Sequence, residues 1–277
     1  MKIQVAKKSG FCYGVKKAVE RAESAPSKYP GEICTIGHLI HNRFEVERLA
    51  KMGISVRHSI NEVEGGTLLV RTHGLSKGVM EKLHKKDIKI IDATCPFVKR
   101  IHNLVEELSS KGYNIIVVGE KNHPETIGII SYSLTPVAVV ESEEEINKIK
   151  LKQPVAVVSQ TTQNVNRFAQ LVEKIKKRFI DAKVYNTICN ASAERQKNAE
   201  WLSRKVDVMI VIGGRDSANT RRLEEICSKF TKTYHIESAD EIKSSWFKGI
   251  KCLGITAGAS TPDWLISELT EKLKRRK

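Results

Sequence analysis

The chain has 277 residues, 40% of them apolar, and a formal net charge of +15. That length exceeds one average domain and the apolar share can fill real cores, so a disordered chain and a small disulfide-stapled scaffold are both excluded. No apolar run approaches the roughly 20 residues of a membrane span. The start Met1-Lys2-Ile3-Gln4-Val5 leads straight into a strand and not into a signal peptide, which predicts a cytoplasmic protein without a membrane partner.

Val15, Ala18, Val19 and Ala22 predict a first helix, entered through Gly10-Phe11-Cys12-Tyr13-Gly14. Ile33 to Ile36 reads as a strand that runs into the polar turn Gly37-His38-Leu39-Ile40-His41-Asn42, and a helix follows from Phe44 to Met52. Thr67-Leu68-Leu69-Val70 is the next strand, ending in Arg71-Thr72-His73-Gly74 before a helix near Lys77 to Lys85. The β-branched run to Ile91 stops at Asp92. Pro96 then suits the first helical position, so Cys95 falls on the strand-to-helix turn.

The middle third repeats the plan. Asn114 to Val118 leads into Gly119-Glu120-Lys121-Asn122-His123-Pro124-Glu125-Thr126, and Val155 to Val158 leads into Ser159-Gln160-Thr161-Thr162-Gln163. Between them lie Val137 to Val140 and an acidic helix start at Glu143. Beyond Cys189 a helix runs to Arg204. Val208 to Ile212 then meets the turn Gly213 to Thr220, and Leu253-Gly254-Ile255 meets Thr256-Ala257-Gly258-Ala259-Ser260-Thr261. Basic runs at Lys174 to Arg178 and Lys272 to Lys277 read as solvated helix faces.

Alternating strands and helices predict an α/β fold with largely parallel sheets. Cys12, Cys95 and Cys189 recur at the same kind of junction, which divides the chain into three similar α/β domains. The boundaries fall at 13–95, 96–188 and 189–277, with residues 1–12 completing the third. None of the six cysteines forms a C-x-x-C pair, so a metal site must be assembled from distant segments. Three converging thiolates suit a [4Fe–4S] cluster with one open iron. Cys34, Cys227 and Cys252 lie within strands or on an apolar helix face, where burial accounts for them.

His41, His73 and His123 follow strands, as do Thr161, Ser217, Asn219 and Ser260, and together they suit an anion such as phosphate. No P-loop or dinucleotide fingerprint is present. Glu125, in the first turn of a helix, is a candidate proton donor if burial raises its pKa. Asp92 reads as a turn residue. The charge of +15 raises nucleic acid as a partner, but no helix-turn-helix, RRM signature or aromatic-rich basic patch accompanies it. An iron–sulfur or zinc nucleic-acid-binding protein and a non-redox hydro-lyase are the alternatives.

Nine motifs in order make the sequence resemble the 4-hydroxy-3-methylbut-2-enyl diphosphate reductases over essentially its whole length. They are the turns quoted above around Cys12, His41, His73, Cys95, His123, Thr161, Cys189, Asn219 and Ser260. The resemblance implies a pseudo-threefold trefoil of three α/β domains around a central iron–sulfur cluster held by Cys12, Cys95 and Cys189. It implies substrate contacts from His41, His73, His123, Thr161, Ser217, Asn219 and Ser260, and a proton from Glu125 relayed by Thr161. The implied reaction is reductive dehydroxylation of the allylic diphosphate to isopentenyl and dimethylallyl diphosphate. Its electrons are implied to come from an external donor such as ferredoxin or flavodoxin. Ala218 departs from the pattern, since members often carry a second serine there.

Overall fold

The computed structural model describes residues 1–275, so Arg276 and Lys277 of the basic tail lie outside the described residues. The chain opens with β1 (Lys2–Val5), α1 (Tyr13–Lys28), β2 (Ile33–Ile36), α2 (Arg43–Lys51) and β3 (Ile54–Arg57). There follow β4 (Thr67–Val70), α3 (Lys77–Leu83), β5 (Lys89–Asp92), α4 (Pro96–Ser110), β6 (Asn114–Val118) and α5 (Pro124–Ser131). Next come β7 (Val137–Val140), α6 (Glu143–Ile146), β8 (Val155–Ser159), α7 (Val165–Arg178) and β9 (Lys183–Val184). The last part holds α8 (Asn190–Ser203), β10 (Val208–Ile212), α9 (Ala218–Cys227), β11 (Lys232–Ile236), β12 (Cys252–Ala257) and α10 (Asp263–Lys274).

Among the described residues the strands make three four-stranded sheets in the orders β3-β2-β4-β5, β7-β6-β8-β9 and β11-β10-β12-β1, and every pairing is parallel. The three orders are one topology. A first strand lies centrally, the second returns on one side of it, and the third and fourth extend the other side. In the third sheet the fourth place is taken by β1, from the opposite end of the chain. Helices on both faces of a parallel sheet explain why β8 and β10 are buried from end to end and read as unbroken Val/Ile runs. The expected α/β architecture is therefore observed, and β3 is among the strands that the sequence did not predict. β3 is only four residues long, Ile54-Ser55-Val56-Arg57, and sits half-exposed at a sheet edge. Its two apolar residues are too few to set up a periodic signal.

By packing, the chain falls into two compact units. One comprises Met1–Lys16, Ile40–Arg48 and Asn190–Lys277 and holds the β1/β10–β12 sheet; the other comprises Lys17–Leu39 and Leu49–Cys189 and holds the other two sheets. In the first unit Leu202 of α8 and Leu223 of α9 pack on Met209 and Val211 on one face of the sheet, while α10 covers the other through Leu265, Leu269 and Leu273. In the second, Ile101, Val105 and Leu108 of α4 pack on Ile115, Val117, Ala156 and Val158.

Gly254 in β12 sets how closely α8 approaches the sheet. A β-carbon there would lie 2.3 Å from Met209 Sδ, 3.0 Å from Val206 Cγ2 and 3.2 Å from Leu202 Cγ. Gly254→Ala is expected to lower the unfolding free energy by about 1–3 kcal/mol through overpacking. Gly78→Ala, in α3 with open space around it, should instead gain up to about 1 kcal/mol in helix propensity. Urea midpoints of the two variants in the same buffer check both.

Candidate functional site

Each of the three junction cysteines follows the fourth strand of its sheet and stands directly before a helix. Cys95 is the residue before Pro96, and its carbonyl accepts the first helical bond from Lys99 N at 3.0 Å. Cys12 does the same for Lys16 N at 2.9 Å, and Cys189 precedes Asn190 at the start of α8. The main-chain N–H of each cysteine donates to the turn beyond the adjacent third strand. Cys12 N lies 3.1 Å from Ala259 O, Cys95 N 3.0 Å from Thr72 O and Cys189 N 3.0 Å from Thr161 O. All three residues are partly exposed. The remaining cysteines differ: Cys34 and Cys227 are buried, and burial raises the first thiol's pKa and pushes the second up to about 12. Cys252, expected to be buried, is instead partly exposed, because it is the first residue of β12.

In the larger unit the structure brings four predicted side chains together. His123 caps α5, its Nδ1 accepting from Glu125 N at 3.1 Å, so a neutral ring carries its proton on Nε2. The His73 and His123 rings meet edge to face with centroids 5.3 Å apart. Glu125 is 1% exposed, and that burial pushes its carboxyl up to about 7 against the opposing pull of Thr161. Thr161 N donates to Oε1 at 2.5 Å and Thr161 Oγ1 to Oε2 at 2.8 Å. Since Oε1 is occupied by an N–H, protonation falls on Oε2, whose hydroxyl then donates to Thr161 Oγ1. Thr161 thus touches the acid with its side chain and Cys189 with its carbonyl.

In the smaller unit Ser217 caps α9, accepting from Thr220 N at 3.3 Å. Ala218 and Asn219 occupy its first turn, where free N–H groups and the helix dipole favour an anion. The Asn219 Nδ2 is buried with no hydrogen-bond partner among the described residues, a donor that an anionic oxygen would satisfy. Ser260 Oγ donates to the His41 carbonyl at 2.9 Å and lies 3.5 Å from Ser217 Oγ. Gly214 is needed beneath that loop, because a β-carbon there would lie 2.5 Å from His41 O. Asp92 is the last residue of β5 and braces the turn that follows: its carboxylate accepts from Thr94 N at 2.9 Å and pairs with Lys99 at 2.6 Å.

Three supporting residues were not singled out in the sequence. Arg195 on α8 is 3% exposed and donates to Ala257 O at 3.0 Å and Gly10 O at 2.9 Å, clamping the Cys12 loop to the end of β12. An arginine in the charged stretch Glu194-Arg195-Gln196-Lys197 otherwise reads as solvated. His102 on α4 is buried, stacks on Tyr132 at 4.2 Å, and is held neutral by burial with a pKa lowered to about 4. Gln160 Oε1 accepts from Glu120 N at 3.1 Å, tying the turn after β8 to the one after β6.

Cys12, Cys95 and Cys189 are each a partly exposed soft sulfur donor fixed at its main chain, the donor type that suits an iron–sulfur cluster.

The LytB protein family matches residues 3–274 of the chain. A 4-hydroxy-3-methylbut-2-enyl diphosphate reductase of Geobacter sulfurreducens is 45% identical over 275 residues, 99% of this chain and 97% of that one. The Aquifex aeolicus protein of the same name is 44% identical, over 98% and 96% of the two chains. A solved structure of the (E)-4-hydroxy-3-methyl-but-2-enyl diphosphate reductase, described as the terminal enzyme of the non-mevalonate pathway, aligns with a TM-score of 0.72 at 43% identity, over 99% of this chain and all of that one. The E-1-hydroxy-2-methyl-but-2-enyl-4-diphosphate reductase of Plasmodium falciparum aligns at 0.93 and 26% identity, over 99% and 87%.

The raised Glu125 pKa fixes the sign of a stability effect. A carboxyl that titrates near 4.5 when unfolded and near 7 when folded holds more protons in the folded state between those values. Its contribution is full below pH 4.5, declines as pH rises, and by pH 8 costs about 3 kcal/mol. Difference infrared spectra should contain a carboxylic-acid C=O band that disappears with a midpoint near pH 7 and is missing from Glu125→Gln. A band already lost by pH 5 would show the acid to be ionised.

Proposed function

Because the chain belongs to the LytB protein family, we propose that it is an iron–sulfur reductase. It removes the hydroxyl of (E)-4-hydroxy-3-methylbut-2-enyl diphosphate and yields isopentenyl and dimethylallyl diphosphate, the last step of the methylerythritol phosphate route. The balance is R–OH, two electrons and two protons in, R–H and water out. The observation that carries the reading is Glu125, a buried acid neutral near pH 7 and hydrogen-bonded to the Thr161 hydroxyl.

We assign a [4Fe–4S] cluster to Cys12, Cys95 and Cys189, with one iron left without a protein ligand. When bound, such a cluster supplies single-electron steps and a Lewis-acidic position. The chain's own residues bind the substrate and move the proton. Ser217, Asn219 and Ser260, with His41, His73 and His123, donate to the diphosphate; charge-assisted hydrogen bonds of this kind contribute about 1.5–3 kcal/mol each. At Ala218 only the main-chain N–H is on offer, so one hydroxyl contact is replaced by the first amide of α9. Glu125 passes its proton from Oε2 to Thr161 Oγ1, which releases its own proton towards the leaving oxygen. An acid with a pKa of about 7 is matched to that task at neutral pH.

The chain has no P-loop or dinucleotide fingerprint, so the electrons come from a separate carrier such as ferredoxin or flavodoxin. We place the protein in the cytoplasm; among the described residues no helix is long and apolar enough to cross a membrane. We also read each sheet with its helices as one domain, cut at 13–95, 96–188 and 189–277 with 1–12.

Anaerobic purification with iron and sulfide counting tests the ligand set. Cys12→Ser, Cys95→Ser and Cys189→Ser are expected to lose iron and colour, while Cys34→Ala and Cys227→Ala keep both. With its cluster intact, Glu125→Gln should lose about 10²–10⁴ in kcat and leave substrate KM nearly unchanged. Full turnover by Glu125→Gln would remove the assigned proton donor. Product formed without matching consumption of reductant would overturn the reductase reading.

A further inference from the structure

A groove of about 560 Å³ runs between the edge strand β1 and α8, lined by Val5, Ala6, Lys7, Lys197, Asn198 and Trp201 among others. All of it lies within the smaller unit. Trp201 is 56% exposed, although a tryptophan is among the side chains most strongly driven out of water. Lys205 Nζ sits over its ring at 3.9 Å. Among the described residues no carboxylate pairs with Lys7, Lys197 or Lys205, whereas the neighbouring Lys8 and Arg204 are paired with Glu194 and Glu200. An apolar floor, one exposed aromatic anchor and three uncompensated ammonium groups have the composition of a docking surface for a negatively charged protein.

The groove is also close to a candidate cluster ligand. Cys12 lies five residues along the chain from Lys7, a span of at most ~18 Å even if fully extended. The Ser9 hydroxyl, donating to Ala6 O at 2.8 Å, folds that stretch shorter. From the α8 side, Arg195 stands two residues before Lys197 and grips Gly10 O, two residues before Cys12. Both walls of the groove therefore continue directly into the loop that carries Cys12.

We propose that the β1/α8 groove, with Lys7, Lys197 and Trp201 at its centre, docks the small acidic electron-carrier protein that supplies the two electrons. The proposal rests on the reductase reading. A one-electron carrier docks twice per turnover and leaves oxidised each time, and the two electrons leave with the product as a C–H bond formed in place of C–O. The lysines steer the acidic face of the carrier, and Trp201 packs against it once water is excluded.

The test compares two reductants on the cluster-loaded enzyme: a reduced acidic ferredoxin and dithionite-reduced methyl viologen, which needs no docking surface. Lys7→Glu/Lys197→Glu should raise KM for ferredoxin about tenfold or more, and Trp201→Ala should raise it severalfold. Turnover with viologen should stay within about twofold for both. KM for ferredoxin should rise with ionic strength in the wild type and respond much less in the double reversal. An equal charge reversal elsewhere, Lys176→Glu/Lys177→Glu on exposed positions of α7, should leave it unchanged. Unaltered KM for ferredoxin in the groove variants would overturn the proposal, as would an equal rise in the α7 control or parallel loss with viologen. So would loss of an acidic-lipid, nucleic-acid or self-association signal in the groove variants with ferredoxin kinetics intact. Wild-type enzyme inert to both reductants would instead overturn the reductase reading.

Discussion

The structure depends on one main-chain hydrogen bond made three times. The turn that leaves the third strand of each sheet presents a main-chain carbonyl two residues beyond the strand, and a carbonyl withdrawn from water needs a donor. In each sheet the donor is the N–H of a junction cysteine, bonded to Ala259, Thr72 or Thr161. The accepting turn in each case carries a candidate binding side chain. Ala259 precedes Ser260, Thr72 precedes His73, and Thr161 is such a residue itself. The bond that satisfies the end of a strand therefore also fixes a thiol relative to a polar side chain. Its geometry is set by sheet topology, so three unlike turn sequences can serve the same purpose.

Glu125 reflects a second constraint, between solvation and hydrogen bonding. Removing a carboxyl from water favours its neutral form, while two donors from Thr161 favour the anion. Desolvation prevails, but only as far as neutrality of pH. Without Thr161 the acid would be pushed further up and hold its proton too tightly; without burial it would be ionised and have none to give. Placement on the first turn of α5 adds the helix dipole to the side of ionisation. A poised acid here is the outcome of opposed terms, each traceable to a named group.

Much of this was legible in the sequence, for physical reasons. Strands buried on both faces, such as Val155–Ser159 and Val208–Ile212, must be continuously apolar, and the turns after them must be polar, so strand and site residues separate cleanly. Cys95 could be placed because Pro96 admits few alternatives to a helix start. What stayed hidden was of two kinds. β3 is short and at an edge, where burial imposes little pattern. Arg195 and His102 act through partners distant in sequence, Gly10 and Ala257 for the one and Tyr132 for the other. A buried arginine that binds main-chain carbonyls has the same local sequence as an exposed one, because carbonyls are present in every residue.

The β1 strand joins these strands of argument. As the fourth strand of a sheet whose other members come from the far end of the chain, it pairs among the described residues with β12 and forms the edge of the sheet. An unpaired edge is a liability in a soluble protein unless charge or cover protects it. Here Lys7, two residues beyond the strand, lines the groove with Lys197, which discourages pairing with another strand while leaving the side-chain surface open. The topology that brings Cys12 to the third sheet thus also creates an exposed, positively charged border beside it. Delivering a third thiol from the N-terminus and presenting a docking edge follow from the same exchange of one strand.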